Sequence, residues 1–360
     1  MRKTVMGLAS AVVVLASGLS AQEAPSLPVF VPAGHEHART MGRFTDDFRF
    51  GWTAGNVRLR FRGTAANVVV ELTRGRESAL QVVVDGEPTH VLFVTKDQTV
   101  YPLASGLPEG EHTVEIWKRP EGFLGELKWV GFQLDAGALT RPSARPARRL
   151  MVIGDSISCG YGNEAAEIRE GNTVANENGY MAYGPLAARR LDAELAMICW
   201  SGRGLFRNRN VGDDRTGVLP ELFDQTLPLD PALKWDHASF VPHVIVINLG
   251  TNDIARGPEN EKPELTKEEF LGAYRAFIER LHRLYPEARI MASIGPMLRE
   301  PISGWLPELE RAYPFVNALV FEGRQGKEYF GGHWHPSVAM HQIMADTLVE
   351  KLREVMGDGW

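Results

Sequence analysis

Four short segments from Gly154 onward carry side chains that together could perform acyl transfer. They are Gly154-Asp155-Ser156-Ile157-Ser158, Trp200-Ser201-Gly202-Arg203-Gly204, Gly250-Thr251-Asn252-Asp253 and His333-Trp334-His335-Pro336. Cleaving an ester needs a nucleophile, a base within hydrogen-bond reach of it, and donors aimed where negative charge develops on the carbonyl oxygen. Ser156 supplies the nucleophile and His335 the base. The backbone N–H groups of Ser156 and Gly202 and the side-chain amide of Asn252 supply the donors, and a glycine at 202 lets the main chain approach the substrate closely.

Each segment alone is an ordinary turn. Ser156 alone would be a loop serine after a buried strand, and Asn252 alone would be a cap. Asp155 is read as structural, ordering the loop, because sequence neighbours rarely point at the same base. Among ten histidines, His335 is preferred because it follows an aromatic and precedes Pro336 at a helix start. His341 reads as packing or surface, and His237 and His243 have no partner in view. Of Trp200, Trp305 and Trp334, the last, beside the base, is expected to line the site.

Such groups must be held by regular elements. From Leu150 onward, short apolar strands alternate with helices, the signature of a parallel sheet covered on both faces. Leu150–Ile153, Val244–Leu249 and Ile290–Ile294 are expected strands. Thr266 and Glu269 form a capping box before a helix reaching about Tyr285, and a last helix runs from Ser337 to near Gly357. Ligands in open α/β sheets sit beyond the carboxyl ends of the strands, where the first three segments fall. Upstream, Val57–Phe61, Val68–Leu72, Leu80–Val84, Val91–Val94 and Val114–Trp117 follow one another between turn residues, including a hairpin signal at Asp85-Gly86. That half reads as an all-β sandwich over residues 28–136, joined by a linker, 137–149, to a catalytic domain over 150–357.

The 360 residues carry 39 basic and 45 acidic side chains, a net charge of −6, which argues against nucleic acid as a partner. Arg2 and Lys3, an apolar run from Val5 to Ala16 and small residues up to Ala21 have the layout of a secretory signal peptide, residues 1–21. The run is too short to span a bilayer. The expected product is a secreted or periplasmic protein with no membrane attachment after cleavage, working as a monomer. Cys159 and Cys199 are the two cysteines and match no zinc-ligand spacing. They are expected near each other, and both a disulfide and a pair of buried thiols fit.

The order of motifs resembles the SGNH (GDSL) hydrolase superfamily. Gly154-Asp-Ser-Ile-Ser-Cys-Gly-Tyr-Gly162, Trp200-Ser-Gly-Arg-Gly204 and Trp334-His-Pro336, behind a β-domain ending Trp129-Val-Gly-Phe-Gln-Leu-Asp135, resemble carbohydrate esterase family 2 over essentially the whole mature chain. The resemblance implies a jelly-roll domain joined to a flavodoxin-like three-layer α/β/α hydrolase domain. It also implies deacetylation of acetylated xylan or glucomannan, with no metal or other cofactor. One departure is plain: His333 stands where most of the superfamily has an aspartate that orients the catalytic histidine. A Ser156–His335 dyad is expected, with a main-chain carbonyl, that of His333 for example, holding the ring. Two readings compete: a lipase or thioesterase on the same scaffold, and a catalytically silent carbohydrate-binding protein. The polar stretch between Gly160 and Tyr180 favours a small acyl group over the first. The sandwich shows no obvious row of exposed aromatics to support the second; it is read as packing on the catalytic domain and bordering its cleft.

Overall fold

The computed structural model describes residues 27–136, 138–142, 144–209, 215–255, 263–357 and 359–360. The expected signal peptide lies outside them.

The first half is two antiparallel sheets face to face. One holds Val29–Pro32, Glu126–Leu134, Ala66–Arg74 and Val100–Ala104 in that order, with Arg49–Phe50 paired to Glu126–Leu134. The other runs Ala138–Leu139, Asn56–Gly63, Gly110–Lys118, Glu77–Val84, Glu87–Thr95, with Ala38–Met41 on Asn56–Gly63. Strand alternation sends Val57, Leu59 and Phe61 inward against Val68, Val70, Trp129 and Phe132, all buried. Asp85 and Gly86 both have positive φ, 52° and 88°, as a two-residue hairpin turn between Glu77–Val84 and Glu87–Thr95 demands. Each of the five strands expected here lies within an observed one. The segment read as linker is less free than its composition suggests, since Ala138–Leu139 extends the second sheet.

The second half is a five-stranded parallel sheet: β1 (Arg148–Gly154), β2 (Ala193–Cys199), β3 (Val244–Asn248), β4 (Arg289–Ile294) and β5 (Val316–Val320), ordered β2-β1-β3-β4-β5. The order reverses beside β1, the place where such sheets open a crevice. The strands are buried on both faces. On one side lie α4 (Lys267–Leu284) and α5 (Ile302–Ala312); on the other lie α2 (Tyr183–Arg190) and α6 (Val338–Met356). Two further one-turn helices open at strand ends: α1 (Ser156–Cys159) after β1 and α3 (Thr251–Ile254) after β3. Thr266 and Glu269 form the expected capping box on α4, Ser337 caps α6, and Gly357 ends it at φ 88°.

The halves are sewn together by buried side chains. Trp52 leaves the sandwich to join the hydrolase core, its indole N–H donating to the Gln225 carbonyl at 3.3 Å. Arg43 donates to the carbonyls of Phe223 (2.6 Å) and Gln225 (2.7 Å) between the rings of Phe223 and Trp235. Trp117 meets Tyr180 edge to face. Replacing Trp52 by alanine removes a buried aromatic and one of the two donors to the Gln225 carbonyl. The expected loss is about 3–5 kcal/mol in urea unfolding, and a loss below about 1 kcal/mol would show that the interface contributes little to stability.

Candidate active site

β1 ends at Gly154, where a Cβ would stand 2.0 Å from the Ser158 hydroxyl, so only glycine permits the immediate turn into α1. Asp155 caps that turn, its Oδ1 accepting from the Ile157 N–H at 3.0 Å. Ser156 is thereby the first residue of α1, at the mouth of the crevice and 6% exposed.

The partner arrives from 179 residues away. His335 Nε2 lies 2.8 Å from Ser156 Oγ, and its Nδ1 lies 3.2 Å from the Gly332 carbonyl oxygen. This placement depends on a strained turn: His333 (φ 49°) and Trp334 (φ 66°) are consecutive left-handed residues, each costing about 1–2 kcal/mol. Hydrogen bonds from the N–H groups of Gly332 to Gly162 O, His333 to Ile168 O and Gly331 to His335 O hold it. The turn throws Trp334 outward, 59% exposed, and sends His335 inward, 5% exposed. The Tyr161 ring stacks on His335 at 4.2 Å between centroids and 27°.

Burial pushes the His335 imidazole down to about 4, against the upward pull of the Gly332 and His333 carbonyls, so the ring is neutral near pH 7 and free to accept a proton. Main-chain carbonyls hold the ring as expected: that of Gly332 lies 3.2 Å from Nδ1, and that of His333, the one offered from the sequence, acts on it as well. The His333 side chain plays no part in that contact, its Nδ1 meeting the Tyr161 hydroxyl at 2.9 Å.

Gly202 follows β2 at φ 79°, with nothing within 4 Å of where a Cβ would be. Among the described residues no protein acceptor takes the N–H of Ser156 or Gly202. Asn252, on α3, lies beside them: Nδ2 donates to Asp155 Oδ2 (3.2 Å) and to the Arg203 carbonyl (2.9 Å). Asp155 thus orders both the serine turn and the amide, and burial raises its carboxyl to about 7.

Other expectations meet the structure unevenly. Cys159 and Cys199 are free buried thiols with sulfurs 2.7 Å apart, and burial raises the Cys159 thiol. His341 is fully buried packing. His237 and His243 do have partners: His237 bridges Asp224 and the Tyr285 hydroxyl, each at 3.0 Å, and His243 Nδ1 accepts from the Arg149 N–H. Trp305 packs on Phe270, and Trp200 lies between Phe123 and Arg203. The polar segment after Gly160 spends its polarity on itself. Asn163 pairs with the Asn178 backbone, Asn172 accepts from Gly162 N–H, and Asn176 donates to Glu170. That polarity therefore carries no information about the acyl group.

Sequence reasoning missed Tyr161 as the face of the base, although its place in Cys-Gly-Tyr-Gly was the available signal. It also missed a buried cluster at the domain boundary, where Lys118 and Glu121 of the sandwich meet Glu177, Cys159 and Cys199. Among the described residues, Glu121, Cys159 and Glu177 form a group with metal-type donors. Those donors are engaged by Ser201, Cys199 and Asn172 and sit by the Lys118 ammonium, a poor setting for a cation.

A serine and a neutral histidine joined at the carboxyl edge of a parallel sheet, beside free backbone donors, define a serine hydrolase of the SGNH type. Residues 152–343 match the GDSL-like lipase/acylhydrolase family, and residues 40–143 match the carbohydrate esterase 2 N-terminal domain. A family two carbohydrate esterase from Clostridium thermocellum, solved with cellohexaose, superposes with a TM-score of 0.80 at 35% identity, covering 89% of this chain and 99% of that one. The cellulase/esterase CelE of Acetivibrio thermocellus is 36% identical over 85% of this chain, which spans 37% of that relative's length. An acetylxylan esterase/glucomannan deacetylase of Cellvibrio japonicus is 27% identical over 91% of both chains. The chain belongs to carbohydrate esterase family 2 and is a carboxylic ester hydrolase.

A carboxylate placed at position 333 would stabilise the charged form of the neighbouring ring. His333→Asp is expected to raise the His335 pKa while changing turnover only a few-fold, since the Gly332 carbonyl already orients the ring. Asp155 is itself raised to about 7 and complicates a rate profile, so the ring is best followed by NMR. Loss of activity in a folded His333→Ala protein would show that this side chain is catalytic.

Proposed function

We propose that the protein is an exported O-acetyl esterase acting as a monomer on acetylated plant cell-wall polysaccharide, xylan or glucomannan. The observation that carries this reading is the 2.8 Å contact between Ser156 and a neutral, buried His335, with the exposed Trp334 beside it as a face for a sugar ring. The names of the Cellvibrio relatives support the substrate class, and the layout of residues 1–21 supports export. Among the described residues no helix is long and apolar enough to cross a membrane.

In this mechanism Ser156 Oγ attacks the acetyl carbonyl as its proton passes to His335 Nε2. The imidazolium so formed lies against the Gly332 carbonyl and the Tyr161 face, and the N–H groups of Ser156 and Gly202 take the oxyanion; the Asn252 amide, whose two N–H groups go to Asp155 and the Arg203 carbonyl, joins them by giving up one of those bonds. Collapse expels the sugar oxygen, which leaves as a hydroxyl by taking the proton from His335. Water, deprotonated by the same ring, then attacks the acetyl carbonyl on Ser156, and acetate leaves as the proton returns to Ser156 Oγ.

One feature favours a second reading. An open groove of about 300 Å³ lined by Pro296, Met297, Leu298, Phe330, Trp334 and Met340 would suit a longer acyl chain. Acetate release from acetyl-xylan and acetyl-glucomannan, beside a p-nitrophenyl ester series from acetate to octanoate, decides between them. A rate rising with chain length would favour the lipase reading.

Ser156→Ala is expected to leave a folded protein with less than about a hundredth of the activity. Asn252→Ala is expected to lower kcat by about 10²–10³ with a smaller change in KM; damage to KM alone would remove it from the oxyanion site. Dialysis against EDTA is expected to leave activity unchanged, and loss restored by zinc would point to metal-dependent deacetylation.

A further inference from the structure

The loop between Gly110–Lys118 and Glu126–Leu134 carries the sandwich onto the strand-end edge of the hydrolase sheet. Its Glu121 is fully buried. One carboxylate oxygen, Oε2, accepts from the Ser201 N–H at 2.7 Å, and the other, Oε1, accepts from the Ser201 hydroxyl. Oε2 also lies 3.9 Å from the thiol of Cys159, the last residue of α1. Glu177 shares a hydrogen bond with the same carboxylate. Lys118 holds the loop from behind, its ammonium donating to the Pro120 and Glu121 carbonyls.

One side chain thus touches both segments that present oxyanion donors: the residue immediately before Gly202, and the end of the helical turn that begins at Ser156. Gly202 has the conformational freedom of a glycine at positive φ and no side chain to anchor it, so the direction of its N–H depends on what fixes Ser201. A carboxylate suits this task because both its oxygens only accept, matching the two Ser201 donors. A glutamine would turn an N–H toward one of them.

We infer that Glu121, supplied by the β-sandwich, is a positioning residue of the hydrolase, aiming the Gly202 N–H at the oxyanion through Ser201. The inference rests on the esterase reading, which activity abolished by Ser156→Ala establishes independently. The β-sandwich is then a part of the active site and its loop cannot be exchanged freely.

The test measures kcat and KM for p-nitrophenyl acetate in Glu121→Gln, Ser201→Ala and the double variant, with thermal unfolding followed in parallel. A misaimed oxyanion donor weakens the transition state and spares ground-state binding. Glu121→Gln is therefore expected to lose about 10–100-fold in kcat with KM within about three-fold. Ser201→Ala, which keeps the main-chain contact, is expected to lose less. The double variant is expected to be no worse than Glu121→Gln by more than about two-fold, because both changes break one linkage. A folded Glu121→Gln enzyme with kcat within two-fold of wild type overturns the inference while leaving the esterase reading intact. So does a loss confined to KM, or losses that multiply in the double variant. If Glu121→Gln does not fold, Ser201→Ala decides: a clear fall in kcat at unchanged KM supports the inference, and an unchanged kcat overturns it.

Discussion

The 2.8 Å contact between Ser156 and His335 is the constraint on which the rest depends. Its two ends are held by unrelated devices. The serine is rigid because a glycine strand end and an aspartate cap leave α1 one way to begin. The histidine is placed by a turn that would not form unaided, since two successive non-glycine residues at positive φ cost about 2–4 kcal/mol together. Hydrogen bonds from the Gly332 and His333 N–H groups to the Gly162 and Ile168 carbonyls offset that cost. The Gly160–Tyr180 segment is the brace that makes the strained turn sustainable, and its asparagines are spent on keeping the brace itself in shape.

Histidine in place of aspartate at position 333 changes the electrostatics of the base. A carboxylate would raise the ring's affinity for a proton and stabilise the imidazolium by direct charge. A carbonyl dipole does less, and deep burial works against the charged form, so the free ring sits near 4. What remains is orientation by the Gly332 carbonyl and the face of Tyr161, whose electron-rich ring lies parallel to the imidazole and attracts it once it is charged. A weak base in a fixed place suits acyl exchange between hydroxyl oxygens of similar basicity, where the proton is held only in passing.

Much of this was legible in the chain. The apolar runs of β1, β3 and β4, the Thr266 capping box and the Asp85-Gly86 hairpin are local signals, written within a few residues, and each appears where its pattern puts it. The site was legible for a related reason: in a parallel sheet the residues that follow strands converge, so Ser156, Gly202 and Asn252 could be grouped from order alone. Contacts that depend on long-range packing were not legible. Nothing near Glu121 says that it will meet Ser201, 80 residues on. Whether Asn163 and Asn172 face a ligand or their own loop is decided by the path of the chain, which polarity does not reveal. That the Gly332 carbonyl joins that of His333 under His335 follows from the left-handed pair at 333 and 334, which the residue types there do not announce.

The domain boundary shows the same principle at larger scale. A β-sandwich beside a hydrolase would ordinarily be read as a separate binding module, and the basic, proline-spaced segment after it as a tether. Here the second sheet continues into that segment, Trp52 sits in the other domain's core, and the loop ending at Glu126 reaches the strand ends with Glu121 buried and Phe123 against Trp200. A tethered module could move relative to its partner, but a surface joined by a buried tryptophan, a buried arginine and a shared carboxylate cannot do so without exposing all three. The two halves therefore behave as one body, and the crevice at the reversal of the sheet is bounded by both.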